Sequence, residues 1–136
     1  MSIITTSTAA KGIAQILVNL GYGTIGTDLF VHKEPDGVNV KDDVVTCYDT
    51  TPHKPPELNY TYEYPSVQVR VRGKINGGQA ANIRAMQLMS ALHGYVGSAN
   101  SIDYRMVRVV NGPIPLGEDE RGRPRFTFNL EIHRTV

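Results

Sequence analysis

The sequence predicts an α+β domain, a largely antiparallel β-sheet with two main helices packed on one face, and three observations predict it. Phe126, Phe128, Leu130 and Ile132 alternate with Arg125, Thr127, Asn129, Glu131 and His133, the period of a half-buried strand. Val67, Val69 and Val71 alternate in the same way with Gln68, Arg70 and Arg72. Two other segments repeat their apolar residues at helical spacing: Ile13, Ile16, Leu17 and Leu20 in one, and Ala81, Ala85, Leu88, Met89 and Leu92 in the other.

Taken in chain order, Ser7 or Thr8 caps a first helix that runs to Leu20, and Gly21 stops it. A short strand over Leu29–Lys33, a turn at Asp36-Gly37 and a strand over Val44–Tyr48 read as a hairpin with a polar connection. Thr51-Pro-His-Lys-Pro-Pro-Glu57 breaks regular structure, because its prolines remove backbone donors and fix an extended chain; it is expected to be a flexible loop. A strand then covers Tyr60 to Gly73, with Tyr60, Tyr62 and Tyr64 on the arginine side unless Pro65 interrupts the pleat. A second helix extends from about Gln79 to His93 and Gly94 ends it. Ile102–Val110 is a further strand, and Gly112-Pro-Ile-Pro115 a turn into the last strand. Packing of both helices on one face of the sheet follows from these runs, because each helix has one apolar stripe to bury.

At 136 residues the chain is expected to be one domain over 1–136, which can bury roughly two-thirds of its unfolded surface. Hydrophobic content of 40% and charged content of 20% are those of an ordinary globular chain. A net charge of +1 argues against a dedicated duplex-DNA binder, which must neutralise several phosphates. The first residues lack the basic start and apolar run of a signal peptide, and no stretch has the length and apolarity of a membrane helix, so use in the cytoplasm is expected. The single cysteine, Cys47, sits within a strand pattern and reads as a buried, inert thiol.

Several motifs invite an enzymatic reading and fail on context. Gly21-Tyr-Gly-Thr-Ile-Gly26 matches G-x-G-x-x-G, yet it follows a helix and precedes a strand, so the carbonyl end of the helix would face a phosphate. His32, His53, His93 and His133 are scattered, without metal-ligand spacing. Asp42-Asp43 and Glu118-Asp-Glu120 lie in polar loops where carboxylates are normally solvated. No catalytic, cofactor or metal residue is assigned, and the chain is not expected to be an enzyme.

The order of the second half carries a resemblance: a strand ending in Arg72-Gly73, a helix, then Leu116-Gly-Glu-Asp-Glu-Arg-Gly-Arg and Phe126 to Arg134. From Pro65 to Arg134 the chain resembles the tail terminator, or minor capsid, proteins of long-tailed bacteriophages. That resemblance implies a structural virion protein that caps the tail tube, ends its polymerisation and forms the docking surface for the head connector. It implies a homo-oligomeric ring, expected to be a hexamer, whose partners are the major tail tube protein and the head–tail connector protein. DNA would be only cargo through the ring, no membrane is involved, and assembly would take place in the host cytoplasm for the head–tail junction of the virion. Alternatives are a head-completion or neck protein and, further off, a single-stranded nucleic-acid-binding module stacking bases on Tyr60, Tyr62, Tyr64, Arg70 and Arg72. Arg70, Arg72, Glu118, Asp119, Glu120, Arg121, Arg123 and Arg125 are the candidate residues of a subunit or tube interface, since a loop carrying both signs can complement a copy of itself.

Overall fold

A computed structural model describes residues 7–58 and 62–135. Its elements in order are α1 (Ala9–Asn19), β1 (Leu29–Val31), β2 (Val44–Thr50), β3 (Tyr62–Glu63), β4 (Ser66–Arg72), α2 (Gly78–Leu92), β5 (Gly97–Ala99), β6 (Ile102–Glu118) and β7 (Pro124–Thr135). The sheet has the order β1-β2-β4-β7-β6-β5, with β3 paired to the end of β7. Every pairing is antiparallel except that of β1 with β2.

The alternation seen in the sequence sets the faces of this sheet. Register places Cys47, Val69 and Phe128 side by side, and Val45, Val71 and Phe126 beside them, on the face that meets both helices. Ile13, Ile16 and Leu17 of α1 and Leu88 and Leu92 of α2 are fully buried there; burying one such side chain stabilises the fold by about 2 kcal/mol. Thr8 caps α1, its hydroxyl accepting from the Lys11 N–H at 3.3 Å. Asp49 reaches over from β2 to accept the Ala10 N–H at 2.9 Å, setting a carboxylate against the positive end of the helix.

Three local expectations are corrected and one strand is added. The strands β1 and β2 do not form a hairpin but run parallel, Leu29 beside Val45 and Val31 beside Cys47. The connection between them, residues 32–43, is long enough to cross back over the sheet, and Asp36-Gly37 lies within that crossing. The Tyr60–Gly73 strand is broken at Tyr64-Pro65 into β3 and β4, and Tyr60 lies outside the described residues. Gly112-Pro-Ile-Pro115 is no turn: β6 continues through it to Glu118, absorbing it in shifts of register against β7, and the reversal falls at Asp119–Gly122. Finally, β5 is an additional edge strand, and beside it the Gly94 N–H donates to the Val107 carbonyl at 2.7 Å and the Val109 N–H to His93 Nδ1 at 3.0 Å. The outer edge of β6 is thus occupied as far as Val109.

Gly12 fixes how closely α1 approaches the sheet. A Cβ at this position would stand 1.6 Å from the hydroxyl of Tyr104, which is fully buried and accepts from Arg134 Nη1 at 3.3 Å. The same Arg134 Nη1 donates to the Ser7 carbonyl at 3.0 Å, and its Nε to Glu63 at 2.9 Å, so β3, β6, β7 and the segment leading into α1 meet at one guanidinium. Gly12→Ala is therefore expected to destabilise the protein by about 1–3 kcal/mol through overpacking. In urea unfolding, Gly12→Ala combined with Tyr104→Phe should be less destabilised than the sum of the two single changes, because both act on one contact.

Candidate functional site

Residues 33–43 form a strap across the outer face of the sheet, the face turned away from the helices. Val44 and Thr46 belong to that face and are nonetheless buried beneath the strap. One side chain holds it down. Arg72 donates from Nε to the Asp42 carbonyl at 2.7 Å, from Nη1 to that of Pro35 at 2.6 Å and from Nη2 to that of Lys41 at 2.9 Å. Glu34 stands 3.7 Å from the same guanidinium, and Arg72 is only 1% exposed. Burial, with the nearby positive Arg123, pulls its pKa below the ordinary arginine value while Glu34, Asp36 and Asp119 oppose them.

The β6–β7 reversal is fastened to the strap by a second buried arginine. Asp119 Oδ1 accepts the backbone N–H groups of Arg121 at 2.9 Å and Arg123 at 3.0 Å, and its Oδ2 accepts Arg123 Nε at 2.8 Å. Arg123 Nη1 then reaches Asp36 and Asp42, each at 3.3 Å, and Arg123 is 3% exposed. Burial pushes the Asp119 carboxyl up, but these backbone and guanidinium donors outweigh it and hold the group below the usual carboxylate range. Arg121 pairs with Asp36 at 2.7 Å in an exposed contact.

The eight candidate interface residues therefore divide. Arg72, Asp119 and Arg123 are committed to holding strap and hairpin together, so they do not offer free charge to a partner. Arg70 is half-buried, 5.1 Å from the Tyr48 ring and 4.0 Å from Glu34. Arg125, opposite Arg72 across the β4–β7 pair, is also half-buried. Glu118, Glu120 and Arg121 face solvent, and among the described residues the first two have no ion-pair partner. The strap residues Glu34, Asp36 and Asp42 complete this network and were not among the interface candidates; their ion-pair partners lie 36 to 87 positions away in the sequence, and no local spacing marks them.

The tyrosine–arginine platform does not form as a row. Tyr64 is buried, its hydroxyl donating to Glu57 at 2.6 Å, and Arg72 lies under the strap. The glycines of Gly21–Gly26 occupy the connection from α1 to β1, where the Tyr22 N–H turns back to the Leu17 carbonyl at 2.9 Å. Cys47 is buried, and burial pushes its thiol up to about 12, which removes the thiolate that a nucleophile requires.

A second fastening lies at the other end of the outer face. His53, in the proline-rich segment, stacks on His133 of β7 with ring centroids 5.7 Å apart and an interplanar angle of 12°. Tyr64 meets His133 edge-on at 4.7 Å, and Lys54 stands 4.4 Å from the Tyr64 ring. His53 Nε2 donates to the Ile132 carbonyl at 3.0 Å, and the His53 N–H to the carbonyl of Tyr64 at 3.1 Å. The segment is thus tied to the sheet rather than free of it.

Two outcomes follow from this geometry. Arg72→Met leaves three carbonyls of the strap without their donor and is expected to cost roughly 3 kcal/mol or more, whereas Arg121→Ala, which opens one exposed pair, should cost less than about 1 kcal/mol. Chemical denaturation of the two variants decides between them. Burial, then the positive charge of His53, Lys54 and Arg108, holds the His133 pKa below its ordinary value against the opposing Glu131. The neutral ring is the stabilising form, so its contribution is complete above about pH 6.5 and is lost as the pH falls through the depressed value. Between about pH 7.5 and pH 5 the wild-type protein should lose more stability than His133→Phe, which keeps a ring in the stack without its charge.

No curated protein matches the chain. The family described as bacteriophage tail terminator protein matches residues 16–136, from the middle of α1 through the last strand. The chain belongs to the bacteriophage tail terminator family and is a structural protein of the phage tail.

Proposed function

We propose that this protein forms a ring, a hexamer by the family resemblance, that caps the tail tube, ends its polymerisation and presents the surface on which the head connector docks. It acts by binding and not by catalysis. Its partners are further copies of itself, the major tail tube protein and the head–tail connector protein. DNA passes through the ring as cargo. The protein assembles in the host cytoplasm and resides at the head–tail junction.

The observation that carries this reading is the fastening of the hairpin tip. Asp119 and Arg123 lock the β6–β7 reversal to the strap, so Glu118, Glu120 and Arg121 project from a fixed base although they stand on a polar loop. A mobile loop would lose side-chain and backbone entropy on binding; a fastened one has lost most of it on folding. Together with Arg70 and Arg125, these are the candidate residues left to meet a neighbouring subunit or the tube.

A virus carrying Glu118→Lys with Glu120→Lys tests the proposal, because both positions are exposed and the fold should change by no more than about 0.5 kcal/mol. Folded subunits, full heads and unattached tail tubes of uncontrolled length are expected in electron micrographs of the lysate. Normal-length tails joined to heads would show that the tip takes no part in capping. Tails of normal length that remain unattached would show that the tip serves head docking and not length control.

A further inference from the structure

Resting on the reading of a ring of identical subunits, we propose that the contact between copies joins two surfaces of this chain: the exposed face of α2 with the turn before it, and the open edge of β6 with its acidic end. Each surface is apolar at its centre and charged at its margin, with opposite signs. On the first, Ile75, Ile83 and Met86 are between 46 and 55% exposed, although α2 has already buried Ala81, Ala85, Leu88 and Leu92 on its opposite stripe. On the second, Val110, Ile114 and Leu116 are between 37 and 42% exposed, along the part of β6 that neither β5 nor His93 and Gly94 covers.

The charges are segregated along the chain. From Gly73 to Gly97 there is no aspartate or glutamate, and Lys74 and Arg84 supply positive charge beside Ala80 and Ile83. Asp43, which borders the same groove, acts on Lys41 of the strap. From Val109 to Glu120 there is no lysine or arginine, and with Asp119 turned inward to Arg123, the acids left to solvent are Glu118 and Glu120. The complement of each surface is therefore present on the chain itself, and the occupant that fits is a second copy.

Because the two surfaces are different, the contact is heterologous and can repeat around a ring. Apolar burial supplies its attraction, and the opposed margins set its register and exclude like against like. Both surfaces are firmly held. One stands on a helix seated on the core, the other on a strand whose far end is fixed to the strap.

Charge exchange tests the pairing. Lys74→Glu with Met86→Glu makes the first surface acidic, so that in this variant both surfaces are acidic. Leu116→Lys with Glu118→Lys makes the second surface basic, so that both are basic. In sedimentation velocity up to millimolar protein, the wild type should self-associate, and each variant alone should associate at least about tenfold more weakly. An equimolar mixture should recover association, because every contact between unlike variants again joins opposite signs. Circular dichroism and melting curves establish that each variant is folded, and the single changes Lys74→Glu and Glu118→Lys should give the same pattern with smaller amplitude. Variants that associate as well as the wild type, or a mixture that stays dissociated, would overturn the pairing while leaving the ring itself standing. A wild type that remains monomeric throughout would overturn both.

Discussion

Three backbone carbonyls converge on the guanidinium of Arg72, and much of the outer face of the molecule depends on that convergence. A strap of eleven residues has little apolar surface with which to hold itself against a sheet. Its carbonyls would otherwise be hydrated, and ordering them costs backbone entropy of the order of 1–2 kcal/mol per residue. The planar fork of an arginine offers several donors at fixed angles and stays charged when buried, so it can collect carbonyls from three places along a bent chain. Lysine at this position would be a point charge without that geometry. With the strap in place, β1 returns parallel to β2, Val44 and Thr46 are covered, and Asp36 and Asp42 stand where Arg123 can reach them.

The half-buried face of each long strand was legible because a period of two permits only one assignment of faces, and α1 and α2 were legible by their helical repeats and the Thr8 cap. The strap was not. Its residues, Lys33 to Asp43, are polar and turn-rich, and the arginines that order them are distant in sequence. On the sequence alone Arg72 looks like the exposed member of an alternating strand and Arg123 like part of a polar loop, and only the returning chain buries them. The Gly112–Pro115 segment misled for a related reason: its composition signals a turn locally, but β7 lies beside it, and strand pairing overrides the local signal at the cost of several shifts of register.

The candidate site therefore has two layers. Beneath are Arg72, held by strap carbonyls and Glu34, and Arg123, held by Asp119, Asp36 and Asp42, so that these charges are met inside the chain. Above are Glu118, Glu120 and Arg121, whose positions the lower layer fixes. A like division holds at the other end of the face, where two stacked imidazoles and Tyr64 keep a proline-rich segment in place. In a protein whose family works by contact, such fastening matters more than any single exposed charge, since a partner meets surfaces that folding has already ordered.

The open part of β6 has one more consequence. Pro113 and Pro115 have no N–H to offer, and the breaks in register against β7 disturb the regular row of donors and acceptors that a flat strand would present. Another chain cannot readily zip along this edge into a continuous cross-strand ribbon, the route by which exposed edges seed amyloid. Any contact there must be made by side chains, and side-chain contacts are more readily broken and remade than a strand ladder. The irregular strand thus withholds the regular backbone template through which an exposed edge recruits another chain.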